Sequence, residues 1–127
     1  MDKKKTIMVV DDNPDIITIV RTILEGKGYN VVSAYGGAEL LSRLEEQKPD
    51  LIILDIMMPQ MDGLEALTRL KGAPDTSPIP VILLTAKVQY EDVLGGYKLG
   101  ADYYITKPFT STQLINGINL LLGEGTS

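Results

Sequence analysis

The chain has no cysteine and no histidine. Disulfides, thiolate or imidazole metal sites, and Ser-His or Cys-His nucleophilic pairs are excluded together. Any chemistry must come from carboxylates, hydroxyls and lysine. Positive charge is also scarce. The formal net charge of −5 argues against nucleic acid as a direct partner, because phosphate backbones are gripped by an excess of Lys and Arg. Long apolar runs are missing too. Thr6-Ile7-Met8-Val9-Val10, behind Lys3-Lys4-Lys5, is cut short by Asp11-Asp12 and is too brief for a signal-peptide core or a membrane span. The expectation is a cytoplasmic protein with no membrane association.

What is present is an ordinary core. With 127 residues, 44% hydrophobic and 23% charged, the chain 1–127 reads as a single domain with its core at about residues 5–122. Apolar runs recur at Ile7 to Val10, Val31-Val32, Leu51 to Leu54, Val81 to Leu84 and, more weakly, Tyr103 to Ile105. Between them lie segments with helical spacing. The first, with Ile16, Val20, Ile23 and Leu24 on one face, is opened by Asn13-Pro14 and closed by Gly26-Lys27-Gly28. The second carries Leu40, Leu41 and Leu44, and the third, after Gly63, carries Leu64, Leu67 and Leu70. The fourth, Glu91 to Leu99, contains Gly95 and Gly96, each costing about 1 kcal/mol relative to alanine, and is expected to be short or mobile. The last carries Leu114, Ile115, Ile118, Leu121 and Leu122 behind a Thr110/Gln113 capping box. Strands without apolar alternation, separated by helices, predict an α/β fold: a five-stranded parallel sheet with helices on both faces.

In such sheets ligands bind beyond the carboxyl ends of the strands. Asp11 and Asp12 follow the first strand, Asp55 the third, Thr85 the fourth, and Lys107-Pro108 the fifth. A nucleotide-binding fold would place glycines after its first strand; this chain places negative charge there. Converging carboxylates call for a shared proton or a hard cation, and Mg²⁺ suits because it takes oxygen ligands and accepts a phosphoryl oxygen. Asp55 is then the candidate nucleophile, Lys107 the balancing cation for transferred oxygens, and Thr85 a hydroxyl for another.

Together "VVDDN", "LDIMMPQMDG", "LLTA" and "YYITKPF" resemble the receiver domain of two-component response regulators, the CheY-like family, in the family's order over nearly the whole chain. The resemblance implies a doubly wound, flavodoxin-like sheet of order 2-1-3-4-5, of which this family is a standard example. It implies Asp55 as phospho-acceptor, Asp12 as direct metal ligand, Asp11 as holder of a metal water, and the Met57 backbone carbonyl as a further ligand, with Mg²⁺ as cofactor and Mn²⁺ as a substitute. It further implies Thr85 and Tyr104 as switch residues, Lys107 as the phosphoryl partner, a cis Lys107-Pro108 bond, and a loop after Asp55 shaped by Pro59 and Gly63. Met57 and Lys87 match the positions that tune phosphoryl lifetime.

The implied partners are a sensor histidine kinase or histidine phosphotransfer protein as donor, and a downstream protein bound through the fourth helix, the fifth strand and the fifth and last helix. The protein is read as a signalling switch rather than an enzyme. A haloacid-dehalogenase-type hydrolase would also form an aspartyl phosphate, but Met57 stands where that chemistry needs a second acid. A receiver fold that binds partners without phosphorylation is the third reading. Salt-bridged dimerisation of the OmpR type is put in doubt by Thr112, Gln113, Asn116 and Asn119 on the last helix.

Overall fold

Parallel strands buried on both faces dominate the molecule. The structure is a computed structural model that describes residues 4–56, 63–86, 94–95 and 97–123. Among these residues are strands β1 (Thr6–Val10), β2 (Asn30–Ala34), β3 (Leu51–Leu54), β4 (Val81–Thr85) and β5 (Tyr103–Thr106). The helices are α1 (Pro14–Gly26), α2 (Gly37–Glu46), α3 (Gly63–Gly72) and α4 (Ser111–Leu122). Four helices are therefore seen among the described residues where five were expected. The stretch read as a fourth helix, Glu91 to Leu99, falls largely outside them, although 94–95 and 97–98 are helical.

The sheet runs β2-β1-β3-β4-β5, all parallel. Alternate side chains of each strand feed two separate cores, as the two-residue period of a strand requires. Met8, Val10, Ile52, Leu54, Val81 and Leu83 pack with Leu40 and Leu44 of α2 and Ala66, Leu67 and Leu70 of α3. Ile7, Val9, Leu51, Ile53, Ile82, Leu84 and Ile105 pack with Ile17, Val20 and Leu24 of α1 and Leu114 and Ile118 of α4. Each such fully buried aliphatic side chain contributes about 1.5–3 kcal/mol. The two cores explain why the strands read as continuous apolar runs.

The helix ends follow their sequence signals. The Asn13 side chain accepts the Asp15 N–H at 2.9 Å with Pro14 in the first turn, and the Thr110/Gln113 capping box is formed in both directions. Arg21 of α1 reaches the edge strand, donating to Val31 O at 3.2 Å and to the Ser33 hydroxyl. The stretch Gly72 to Pro80, with one glycine and three prolines, has an interior of its own: Thr76 is buried and its hydroxyl donates to Leu70 O at 2.6 Å.

At the amino ends of the strands one device appears twice. Asp50 accepts the Thr6 N–H at 2.7 Å while its own N–H donates to Thr6 O at 2.7 Å. Asp102 does the same to Val81, at 2.9 Å in both directions. Each aspartate closes the open start of a neighbouring strand.

Candidate functional site

Register places the acidic residues together. Val10 of β1 lies opposite Leu54 of β3, so the residues that follow them, Asp11 and Asp55, leave the sheet side by side. Both backbones stay tied to it: Asp55 N–H donates to Val10 O at 3.0 Å and Asp11 N–H to Ala34 O at 3.1 Å. Their side chains are buried, at 2% and 4% residue exposure, whereas Asp12 is exposed. One carboxylate oxygen from each of Asp11, Asp12 and Asp55 lies within 4.8 Å of the others.

Lys107 enters this cluster from the end of β5. Its Nζ lies 2.8 Å from Asp11 Oδ2 and 3.3 Å from Asp55 Oδ2. Burial alone would lower the lysine's pKa, but the hydrogen bond it donates to Asp11 and the charges of Asp55 and Asp11 outweigh it and hold the ammonium above its usual 10.5. Asp11 moves the other way from most paired carboxylates. Burial and the neighbouring Asp55 charge raise it above 3.8, against the opposing pull of Lys107 and of the Asn13 N–H, which donates to Asp11 Oδ1 at 2.9 Å. Asp11 and Asp55 share one ammonium, with the Asp12 carboxylate beside them. A cluster of three carboxylates, two of them buried, offers only hard oxygen donors and fits a divalent hard cation.

The remaining candidates are placed as follows. Thr85 ends β4, is fully buried, and its carbonyl accepts the Lys107 N–H at 2.8 Å, so hydroxyl and lysine are carried on bonded backbones. The Lys107-Pro108 peptide bond is cis. Gly63 opens α3 directly against the backbone of Asp55: its N–H donates to Ile56 O at 2.8 Å, and a Cβ there would sit 2.1 Å from Asp55 O. Only glycine fits this approach. Tyr104 is half-buried against the α2/α3 core, while its neighbour Tyr103 faces the α1/α4 core. Met57, Pro59 and Lys87 lie outside the described residues.

The comparisons agree with this geometry. The family model for the response regulator receiver domain matches residues 7–119. The chain belongs to that family. This receiver is 41% identical over 118 residues, 93% of the chain, to the alkaline phosphatase synthesis transcriptional regulatory protein PhoP of Bacillus subtilis, covering 48% of that protein. It spans about half the length of the curated relatives it matches. A putative response regulator from Chloroflexus aurantiacus superposes on the receiver with a TM-score of 0.91 at 30% identity, covering 96% of this chain and 100% of that one. The signal receiver domain of a histidine kinase from Syntrophus aciditrophicus gives 0.87 at 39% identity, covering 97% and 94%. The receiver is thus a two-component signalling module with the CheY-like sheet order 2-1-3-4-5. Among the described residues no helix is long and apolar enough to cross a membrane.

What sequence reading did not anticipate is the pair of amino-end clamps and Lys71, whose partners are described below. A lone aspartate before a strand has no spacing signature; only the pairing register reveals what its carboxylate reaches.

Proposed function

We propose that this receiver accepts a phosphoryl group on Asp55 from a phosphohistidine of a sensor histidine kinase or histidine phosphotransfer protein. A carboxylate oxygen of Asp55 attacks phosphorus. The new O–P bond replaces the donor's N–P bond, whose electron pair stays on the imidazole nitrogen and is then protonated. The observation that carries this reading is the shared lysine: Lys107 Nζ stands 3.3 Å from the Asp55 carboxylate and 2.8 Å from Asp11, inside a triad of convergent carboxylates.

Strand β3 aims Asp55 rigidly, and such positioning is most of what phosphoryl transfer asks of a protein. Lys107 is held protonated and offers an N–H to a transferred phosphoryl oxygen in place of its contact with Asp55. Thr85 is the hydroxyl for a second oxygen. Asp11, Asp12 and Asp55, with the Met57 carbonyl, would hold Mg²⁺ or Mn²⁺, whose charge offsets that of the carboxylates and of the incoming phosphoryl oxygens. Asp12, exposed at the mouth, is the direct ligand in this scheme, and Asp11 holds a metal-bound water.

In this reading the whole of 1–127, with its core at about 5–122, is one receiver domain working in the cytoplasm as a switch rather than an enzyme. Phosphorylation draws Thr85 inward and Tyr104 with it, changing the surface formed by residues 94–95 and 97–99, β5 and α4 for a downstream protein. The net charge of −5 supports protein rather than nucleic acid as what this chain itself touches; transcriptional regulation is said of PhoP as a whole. Met57 and Lys87 set how long the phosphoryl group lasts, and Met57→Asn should shorten its lifetime by helping to orient an attacking water.

Intact-protein mass spectrometry after incubation with acetyl phosphate tests the core of this. One phosphoryl adduct is expected with Mg²⁺, none with chelator, and none in Asp55→Asn. A folded, Mg²⁺-binding protein without an adduct would sink the reading and leave a receiver that signals by contacts alone.

A further inference from the structure

At the amino ends of the strands, opposite the acidic cluster, Lys71 of α3 gathers three segments. Its Nζ donates to Ile79 O at 2.7 Å and to Ser77 O at 3.0 Å, both in the connection to β4, and lies 3.6 Å from Asp102 Oδ2. The side chain is 18% exposed, so these three acceptors replace most of its water. The same Asp102 oxygen accepts the Val81 N–H, which fixes the carboxylate against the first residue of β4.

The stem of Lys71 matters as much as its head. Gly100, at a φ of +108°, lies directly beneath it; a Cβ there would be 2.9 Å from Lys71 Cγ and 3.4 Å from Cδ. Gly100 is the turn through which the helical residues 94–95 and 97–98 join β5, closed by Gly100 N–H donating to Tyr97 O at 3.1 Å. The Tyr97 hydroxyl lies near the backbone N–H of Tyr104 and near Tyr103. The stretch 97–104 is therefore held at its middle by Lys71, whose stem lies over Gly100 and whose ammonium lies beside Asp102.

We propose that Lys71 is a positioning residue for switching: with its stem over Gly100 and its ammonium on Ser77, Ile79 and Asp102, it fixes the turn about which residues 97–99 and Tyr104 move. This rests on the reading that phosphorylation at Asp55 is transmitted to that surface. A fixed turn at one end converts a pull at the Thr85 end into a rotation, whereas a loose turn dissipates it as local fraying. Methionine at 71 keeps the stem over Gly100 but offers no donor, leaving two half-buried carbonyls and a carboxylate without their cation.

Hydrogen exchange on the unphosphorylated protein tests the anchor directly. In Lys71→Met, amides 99–104 should exchange about tenfold faster or more, while those of Ile7–Val10 and Leu51–Leu54 keep their wild-type rates. Asp102→Asn, which retains an oxygen for the Val81 N–H, should show a smaller rise at the same amides, and Lys71→Arg should restore most of the protection. Equal acceleration in the central strands would mean a merely structural lysine and overturn the proposal, as would unchanged exchange at 99–104. The second arm uses acetyl phosphate and Mg²⁺. Lys71→Met should take up phosphoryl at the wild-type rate yet lose the phosphorylation-dependent change in exchange at 97–104. Retention of that change would overturn the proposal, whereas absence of an adduct in the wild type would overturn the phospho-acceptor reading and leave the first arm standing.

Discussion

Aspartates stand at both ends of this sheet, and the two ends use them differently. At the amino ends, Asp50 and Asp102 each spend a carboxylate oxygen on a backbone N–H and return their own N–H to the same residue. At the carboxyl ends, Asp11, Asp12 and Asp55 face one another, and the two buried carboxylates share the ammonium of Lys107. The first arrangement is what a fold does with an aspartate that stabilises it. The second crowds three carboxylates into a group that could hold a metal ion. Substitutions at the two ends should therefore act with opposite signs.

The largest expected effect is at Gly63, where α3 meets the carboxyl end. Gly63→Ala places a methyl group 2.1 Å from Asp55 O and 2.5 Å from Ile56 Cα, so backbone rather than a flexible side chain must yield. We expect a loss of about 3 kcal/mol and a fall in Tm of about 10 °C, together with loss of phosphoryl uptake. Gly72→Ala, with open space around it, is the control. A stable, phosphorylatable Gly63→Ala protein would show that α3 does not need this approach to set Asp55.

Next comes the amino end. Asp50→Ala leaves the Thr6 N–H without its acceptor and should cost about 0.5–1.5 kcal/mol in urea unfolding, while the rate of phosphorylation by acetyl phosphate stays at the wild-type value. Asp50→Asn should recover much of the loss. If Asp50→Ala slowed phosphorylation instead, the two ends would not be separable in function.

The difference between the ends also explains what was legible beforehand. The five strands and the acidic triad could be read because they rest on periodicity and on residues placed at strand ends, where topology dictates convergence; the sheet order came only with the family resemblance. Asp11, Asp12, Asp55 and Lys107 duly meet. Asp50, Asp102 and Lys71 could not be read. Their roles depend on which carbonyl or N–H lies across a particular register, and a sequence offers a polar residue before a strand many meanings. Thr76 was equally hidden, a buried hydroxyl inside a stretch whose glycine and prolines signalled only a loop.

A smaller effect sharpens the contrast at Asp12. Being exposed, it adds charge to the cluster without much burial. Asp12→Asn should leave the metal-free protein as stable as the wild type or slightly more so, and abolish the stabilisation by Mg²⁺. In the wild type that stabilisation should reach about 2.7 kcal/mol at a hundredfold excess over Kd. Calorimetry with and without chelator checks both. A wild-type Tm indifferent to Mg²⁺ would remove the cation from the scheme.

The subtlest expectation concerns pH and Asp11. Burial, then the charge of Asp55, raises its pKa above 3.8 despite Lys107 and the Asn13 N–H. A carboxylate raised on folding contributes stability that is present in full below 3.8 and lost as pH climbs through the higher folded value, because the folded state resists ionising it. At neutral pH without metal the wild type has forgone that contribution. Asp11→Asn retains an oxygen for the Asn13 N–H and removes the charge, so in chelator it should be the more stable protein at pH 7, with the gap closing as pH falls below 3.8. Asp50→Asn, at the other end, should show no such gain. Were Asp11→Asn the less stable protein at pH 7, the ion pair to Lys107 would outweigh the cost of crowding two buried carboxylates, and the carboxyl end would be as well satisfied as the amino end.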